Sequence, residues 1–129
     1  MTAPRPHIYR PHIFGIVNIT EDSFSDGGKF LDPEAAIAHA ASLVAAGVDV
    51  LDIGPASSHP DARDVSAGEE IERLSAIWPS LLDMRCALSV DSFQPETQKW
   101  AIAQGADWLN DINGFCDPQM HELLVDASC

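Results

Sequence analysis

The chain is expected to be an α/β protein of four strand–loop–helix units, (βα)4, with parallel strands and outer helices. Three observations carry that expectation. Four short apolar runs each end in hydrogen-bonding residues, and a loop and a helix-start signal follow each one. Strands alternating with helical patterns read as a parallel sheet joined by right-handed crossovers. An internal repeat sets the register: AAGVDVLD at 45–52 parallels AQGADWLN at 103–110. Each is a helix end, a glycine, then a strand finishing in a polar residue. Finally, 129 residues with 46% hydrophobic content suffice for one packed core.

Taken in order, Met1 to Pro11 carries three prolines and no periodicity, and reads as a flexible tail (1–11) ahead of one domain (12–129). The first strand runs from about His12 to Asn18, almost continuously apolar, as a parallel strand covered on both faces should be. A polar loop rich in Asp, Ser and Gly follows. Asp32-Pro33-Glu34 then opens a helix: Asp32 as N-cap, Pro33 in the first turn, Glu34 at the positive end of the dipole. Ile37, Ala40, Ala41 and Val44 share one face, and Gly47 ends the helix. Val48 to Ile53 is the second strand. Its loop, Gly54 to Val65, has two prolines and small polar residues that exclude a regular element. Ser66-Ala67-Gly68-Glu69 is a capping-box pattern. It starts a helix with Ile71, Leu74, Trp78 and Leu81 on one face, which Pro79 should kink or end near Trp78. Cys86 to Asp91 is the third strand, and Gln94-Pro95-Glu96 opens a helix stopping at Gly105. Asp107 to Ile112 is the fourth strand. Asp117-Pro118 caps a last helix bearing Met120, Leu123 and Leu124. Eight such units close a TIM-type (βα)8 barrel of about 250 residues; this chain supplies half.

Net charge is −13, from 7 Lys+Arg against 20 Asp+Glu. Such a surface repels nucleic acid and anionic membranes, so neither is an expected partner. No apolar run is long enough to span a bilayer, and the N-terminus shows no signal-peptide core. Cys86, Cys116 and Cys129 contain no C-x-x-C pair, so a disulfide framework is not expected and a cytoplasmic setting is the default.

In parallel α/β folds ligands sit at the carboxyl ends of the strands. Those ends carry Asn18, then Ser57 and Ser58, then Asp91, then Asn110 and Asp111. Four consecutive polar strand ends on one rim make a candidate site, although any single one is as well explained by solvent contact. Lys29, His59 and Arg63, in the loops after the first two strands, are the cations nearest to that rim. Asp49 and Asp107 occupy matched positions at the opposite ends of their strands, where a structural role in the turn is expected.

These residues also carry a resemblance. GIVNITEDSFSDGG at 15–28 resembles the N-terminal signature of the dihydropteroate synthases. Asp52-Ile53-Gly54, the Ser57-Ser58 loop, Ser89-Val90-Asp91-Ser92 and Leu109-Asn110-Asp111-Ile112 follow in that family's order. The loop from Gly54 to Ala62 departs from the usual Gly-Gly-Glu-Ser-Thr-Arg-Pro: Ser58 replaces threonine and His59 replaces arginine. In this it is similar to the sulfonamide-insensitive members.

The resemblance implies a folate-pathway transferase that condenses 6-hydroxymethyl-7,8-dihydropterin diphosphate with p-aminobenzoate, releasing pyrophosphate. It implies that Asn18 is a ligand of Mg2+, that Asp91 (also the catalytic candidate) and Asn110 contact the pterin, and that Ser58 lies towards the diphosphate. Asp22, Ser23, His59 and Arg63 are implied as loop contacts. Full-length relatives are expected to be homodimeric. The family's later Asp-Pro-Gly, Ser-Arg-Lys and Arg-x-His segments do not occur in these residues. The chain is therefore expected to behave as an N-terminal half that is inactive alone. The alternatives are a non-catalytic half barrel that self-associates, or part of a pterin-binding methyltransferase; the Asp22 to Gly28 loop favours the synthase.

Overall fold

A computed structural model describes residues 10–20 and 32–129. Eight elements alternate: β1 (Phe14–Asn18), α1 (Pro33–Ala46), β2 (Val50–Gly54), α2 (Ala67–Asp83), β3 (Ala87–Asp91), α3 (Pro95–Ala103), β4 (Trp108–Asn110) and α4 (Pro118–Asp126). The strands form one sheet in the order β1-β2-β3-β4, and every neighbouring pair is parallel. The expected (βα)4 architecture is therefore present, with strands somewhat shorter than the apolar runs suggested.

The caps act as their residue types dictate. Asp32 accepts from the Glu34 amide, and Ser66 from that of Glu69. Asp117 accepts from the Gln119 amide. Gly47 closes α1 at φ +94°, a left-handed conformation that a side chain disfavours. Pro79 does not end α2, which continues to Asp83. Ile77, Trp78 and Leu81 are buried on both sides of it, and that burial holds the helix together through the missing N–H. The buried stripe is also rotated from expectation. Glu70 and Ile77 are inside and Ile71 only half so, while on α1 Ala36 and Ala40 are buried and Ala41 is exposed.

Strand residues alternate between two faces. Val17, Leu51, Ile53, Leu88 and Val90 join Leu74, Ile77, Trp78 and Leu81 of α2 in the core. Packing between α2 and α3 adds an edge-on contact of the Trp78 and Trp100 rings, with centroids 5.3 Å apart. The opposite face is concave and layered by register. Phe14, Val50 and Ala87 form its lowest row; Ile16, Asp52, Ser89 and Trp108 form the middle one. At the carboxyl ends Asn18 stands opposite Gly54 and Asp91 opposite Asn110. Curvature is strong. In a flat sheet β1 and β4 would lie roughly 14 Å apart, yet the Phe14 and Trp108 rings meet edge-on with centroids 5.5 Å apart.

The matched aspartates pin the amino ends of adjacent strands. Asp49 accepts from the Ile13 amide and Asp107 from the Leu88 amide, while their own amides donate back to Ile13 and Leu88. Asp49 also pairs with Arg10 at 2.9 Å. The Ile13 amide, more than the Arg10 charge, holds the Asp49 carboxyl below its usual range.

Candidate functional site at the carboxyl ends of the strands

Small-molecule pockets usually hold about 300–1,000 Å³. One of 330 Å³ opens over β3 and β4, lined by Ala56, Ser57, Ser58, Glu70, Asp91, Ser92, Phe93, Asn110 and Ile112. Four residues singled out from the sequence, Ser57, Ser58, Asp91 and Asn110, thus share one space. Asn18 is not among them: it lines a separate cavity of 280 Å³ between β1 and α1, with Ile16, Thr20, Ala35, Ala36 and His39. Arg63 lines a third, of only 30 Å³, with Thr20, Ser57 and Arg73. His59 is exposed on the same loop, and its Nδ1 accepts from the Asp61 amide at 3.2 Å. Asp22, Ser23 and Lys29 lie outside the described residues.

The floor of the main cavity is acidic. Asp91 is half-buried, and its pKa is raised from 3.8 to about 6. Loss of hydration is the main cause, followed by the nearby charges of Asp52, Glu70 and Asp111. Ionised, its carboxylate only accepts hydrogen bonds; the Asn110 amide beside it both donates and accepts.

Two residues that bear on the site were given no role in it from the sequence. Asp52 is 6% exposed, in the middle row of the concave face. Its Oδ2 accepts from Asn110 Nδ2 at 3.1 Å, which turns the Asn110 amide group. Its buried Oδ1 has no hydrogen-bond partner among the described residues. The available signal was its place in the Asp52-Ile53-Gly54 motif, at the carboxyl end of an apolar run. Glu70 is 2% exposed on α2. Its Oε1 accepts from Ser92 Oγ at 2.7 Å and Thr97 Oγ1 at 2.8 Å. Ser92 Oγ in turn accepts from the Gln94 amide, so Glu70 braces the turn that follows Asp91. Burial is the main reason its carboxyl titrates above the usual range, and the hydroxyl donors oppose that rise. Glu70 stands one turn before Leu74 in the apolar stripe, and helical spacing alone could have found it.

Asp111 serves the loop instead. Its oxygens accept from Gln98 Nε2 and the amides of Asn113 and Phe115.

The loops after β1 and β2 are tied together at their roots. Beyond the last strand pair, the Ile19 amide donates to the Gly54 carbonyl at 2.8 Å. Arg73 Nη1 donates to the Pro55 carbonyl at 2.8 Å and to the Ile19 carbonyl at 3.4 Å. Glu69 lies 3.8 Å from Arg73 and receives both terminal nitrogens of Arg63, at 2.9 and 3.3 Å.

Residues 14–129 match a family profile described as pterin binding enzyme. A type-1 dihydropteroate synthase from Mycolicibacterium fortuitum is 48% identical over 120 residues, 93% of this chain and 42% of that protein. A dihydropteroate synthase from Xanthomonas albilineans, solved with 4-aminobenzoic acid, is similar at 40% identity and a TM-score of 0.77; the match covers 91% of this chain and 44% of that one. One from Anaplasma phagocytophilum, solved with bound 6-hydroxymethylpterin-monophosphate, gives a TM-score of 0.78 at 37% identity, over 92% of this chain and 46% of that one. The chain thus spans less than half the length of these relatives. Among the described residues no helix is long and apolar enough to cross a membrane.

Proposed function

Since the chain belongs to the pterin binding enzyme family, which residues 14–129 match, we propose that it carries the pterin-side part of a dihydropteroate synthase site. The observation behind this reading is the shared cavity of Ser58, Asp91 and Asn110. In the proposed reaction the arylamine nitrogen of p-aminobenzoate forms a bond to the pterin methylene. The bond from that carbon to the diphosphate oxygen breaks, pyrophosphate leaves, and the amine gives up a proton.

Asp91 and Asn110 take the pterin ring. An ionised carboxylate suits the N–H donors of the ring, and Asn110, oriented by Asp52, supplies both a donor and an acceptor. Negative charge at Asp91 also favours the cationic character that develops on the pterin as diphosphate departs. Ser58 faces the diphosphate side, and Asp22, Ser23, His59 and Arg63 are assigned to the loops that close over it.

Asn18 fits the role of a Mg2+ ligand. Its amide oxygen is a hard donor at a strand end, and Mg2+ commonly takes one or two protein oxygens and completes its shell with water and substrate phosphate. When bound, the ion offsets charge on the departing diphosphate. Gly54 leaves room for this donor, because a Cβ there would come within 2.8 Å of Asn18 Oδ1. Gly54→Ala is therefore expected to turn the exposed Asn18 side chain aside at a stability cost under about 1 kcal/mol. Mg2+-dependent pyrophosphate binding, read by calorimetry, should weaken, and unchanged affinity would count against Asn18.

This domain (12–129) is assigned to the cytoplasm, and its loop from Gly54 to Ala62 to the sulfonamide-insensitive type. Full-length relatives are assigned a homodimeric state. Titration of the chain with 6-hydroxymethylpterin, followed by pterin fluorescence, tests the central reading. Binding is expected without turnover of pterin diphosphate and p-aminobenzoate, since the chain spans under half of its relatives. Asp91→Ala and Asn110→Ala should each cost at least about tenfold in affinity, the worth of one charged or buried hydrogen bond. Wild-type affinity in both variants would remove the basis for the assignment.

A further inference from the structure

Arg73 lies outside every role assigned so far, yet its side chain is only 10% exposed. It stands on α2 and reaches the roots of two different loops. Nη1 donates to the carbonyl of Ile19, one residue past β1, and to that of Pro55, one residue past β2. The backbone bond from Ile19 to Gly54 lies between these two carbonyls in the chain and is the last link joining the strands. We infer that Arg73 is a positioning residue that locks the loops after β1 and β2 to each other, and so sets where Asn18, Ser57 and Ser58 stand. This rests on the proposed function only for what those loops hold.

The chemistry suits arginine. Its planar fork presents several donors in fixed directions, so one group can bond two carbonyls on separate segments, whereas a lysine ammonium is a compact, strongly hydrated point charge. The carbonyl oxygens and the Glu69 carboxylate at 3.8 Å make the buried charge tolerable. Glu69 also receives Arg63 from the middle of the second loop. The tie therefore runs from the end of β1, through Arg73 and Glu69, to Arg63. Ser57 and Thr20 line the 30 Å³ space between these groups, room for about one water.

The test compares Arg73→Lys with the wild-type chain by amide hydrogen exchange and by ligand titration. Lysine keeps the charge and the stem, so the fold should survive. Exchange at the Ile19, Ala56 and Ser57 amides is expected to quicken by about tenfold, while Leu88 and Val90 in β3 stay as protected as before. Affinity for inorganic pyrophosphate with Mg2+ should fall about tenfold, and affinity for 6-hydroxymethylpterin, held at β3 and β4, should change less than twofold. Uniform loss of protection with equal loss of both affinities would mean a merely structural arginine and would overturn the inference. So would exchange unchanged at all five amides. If the wild-type chain binds no pterin, the functional reading falls, and the exchange pattern still decides the role of Arg73.

Discussion

Asp91→Asn is expected to make the folded chain more stable at pH 7 and no more stable at pH 3.5. The Asp91 carboxyl titrates near 6 in the fold against 3.8 in the unfolded chain. Between those values the native state holds more protons than the unfolded state, so stability falls as pH rises from about 4 to 6. Above 6 the full cost of the ionised group is present. Each pKa unit corresponds to about 1.4 kcal/mol. A shift of this size would reach roughly 3 kcal/mol, which solvent screening of a half-buried group lowers to about 1–2 kcal/mol. Urea denaturation at pH 3.5, 5 and 7 checks the sign. A variant that parallels the wild type at all three would show that Asp91 is not under strain. The same substitution should weaken pterin binding at pH 7, so stability and affinity would move in opposite directions. That opposition is expected of a group whose poor hydration in the empty cavity is offset by a donor-bearing ring.

Glu70→Ala should be among the most damaging single changes, at about 3 kcal/mol. It removes the acceptor of two buried hydroxyls, Ser92 at 4% and Thr97 at 0% exposure, and opens a gap beside Leu74. A buried polar group left without its partner costs about 1–3 kcal/mol, and the lost packing adds to that. Glu70→Gln keeps an acceptor oxygen and should recover most of the loss. Because burial raises the Glu70 pKa, the wild type should lose more stability than the glutamine variant as pH rises through that pKa, the loss left in the variant being that of Asp91. Thermal unfolding of the two variants separates these effects, and equal damage from both would mean that the carboxylate itself, rather than side-chain shape or one acceptor oxygen, is required.

The helix starts were legible because they are local events. Asp32, Ser66 and Asp117 cap through side-chain oxygens two or three residues away, and Gly47 turns left-handed where only glycine does so freely. No distant contact is needed to read them. The strand ends were legible for a related reason: apolar runs that stop at Asn18, Asp91 and Asn110 must end at a rim. Pro79 does not end α2 as one of the two expected outcomes had it, because burial around Ile77 and Leu81 outweighs one missing backbone donor. That balance depends on what α2 packs against.

By itself, then, the sequence determined the order of elements, their caps and four of the residues that share the main cavity. The tertiary structure alone decided which polar groups face that cavity and what holds them there. Asn110 and Asp111 are neighbours in sequence, but only Asn110 lines it, with its amide turned by Asp52. Arg73 reads as one more charge on a helix until α2 brings it against the carbonyls of Ile19 and Pro55. The physical reason is range. Capping and alternation act over a few residues, whereas the burial that shifts Asp91, orients Asn110 and recruits Glu70 and Arg73 comes from segments far apart in the chain, brought together by the curvature of one parallel sheet.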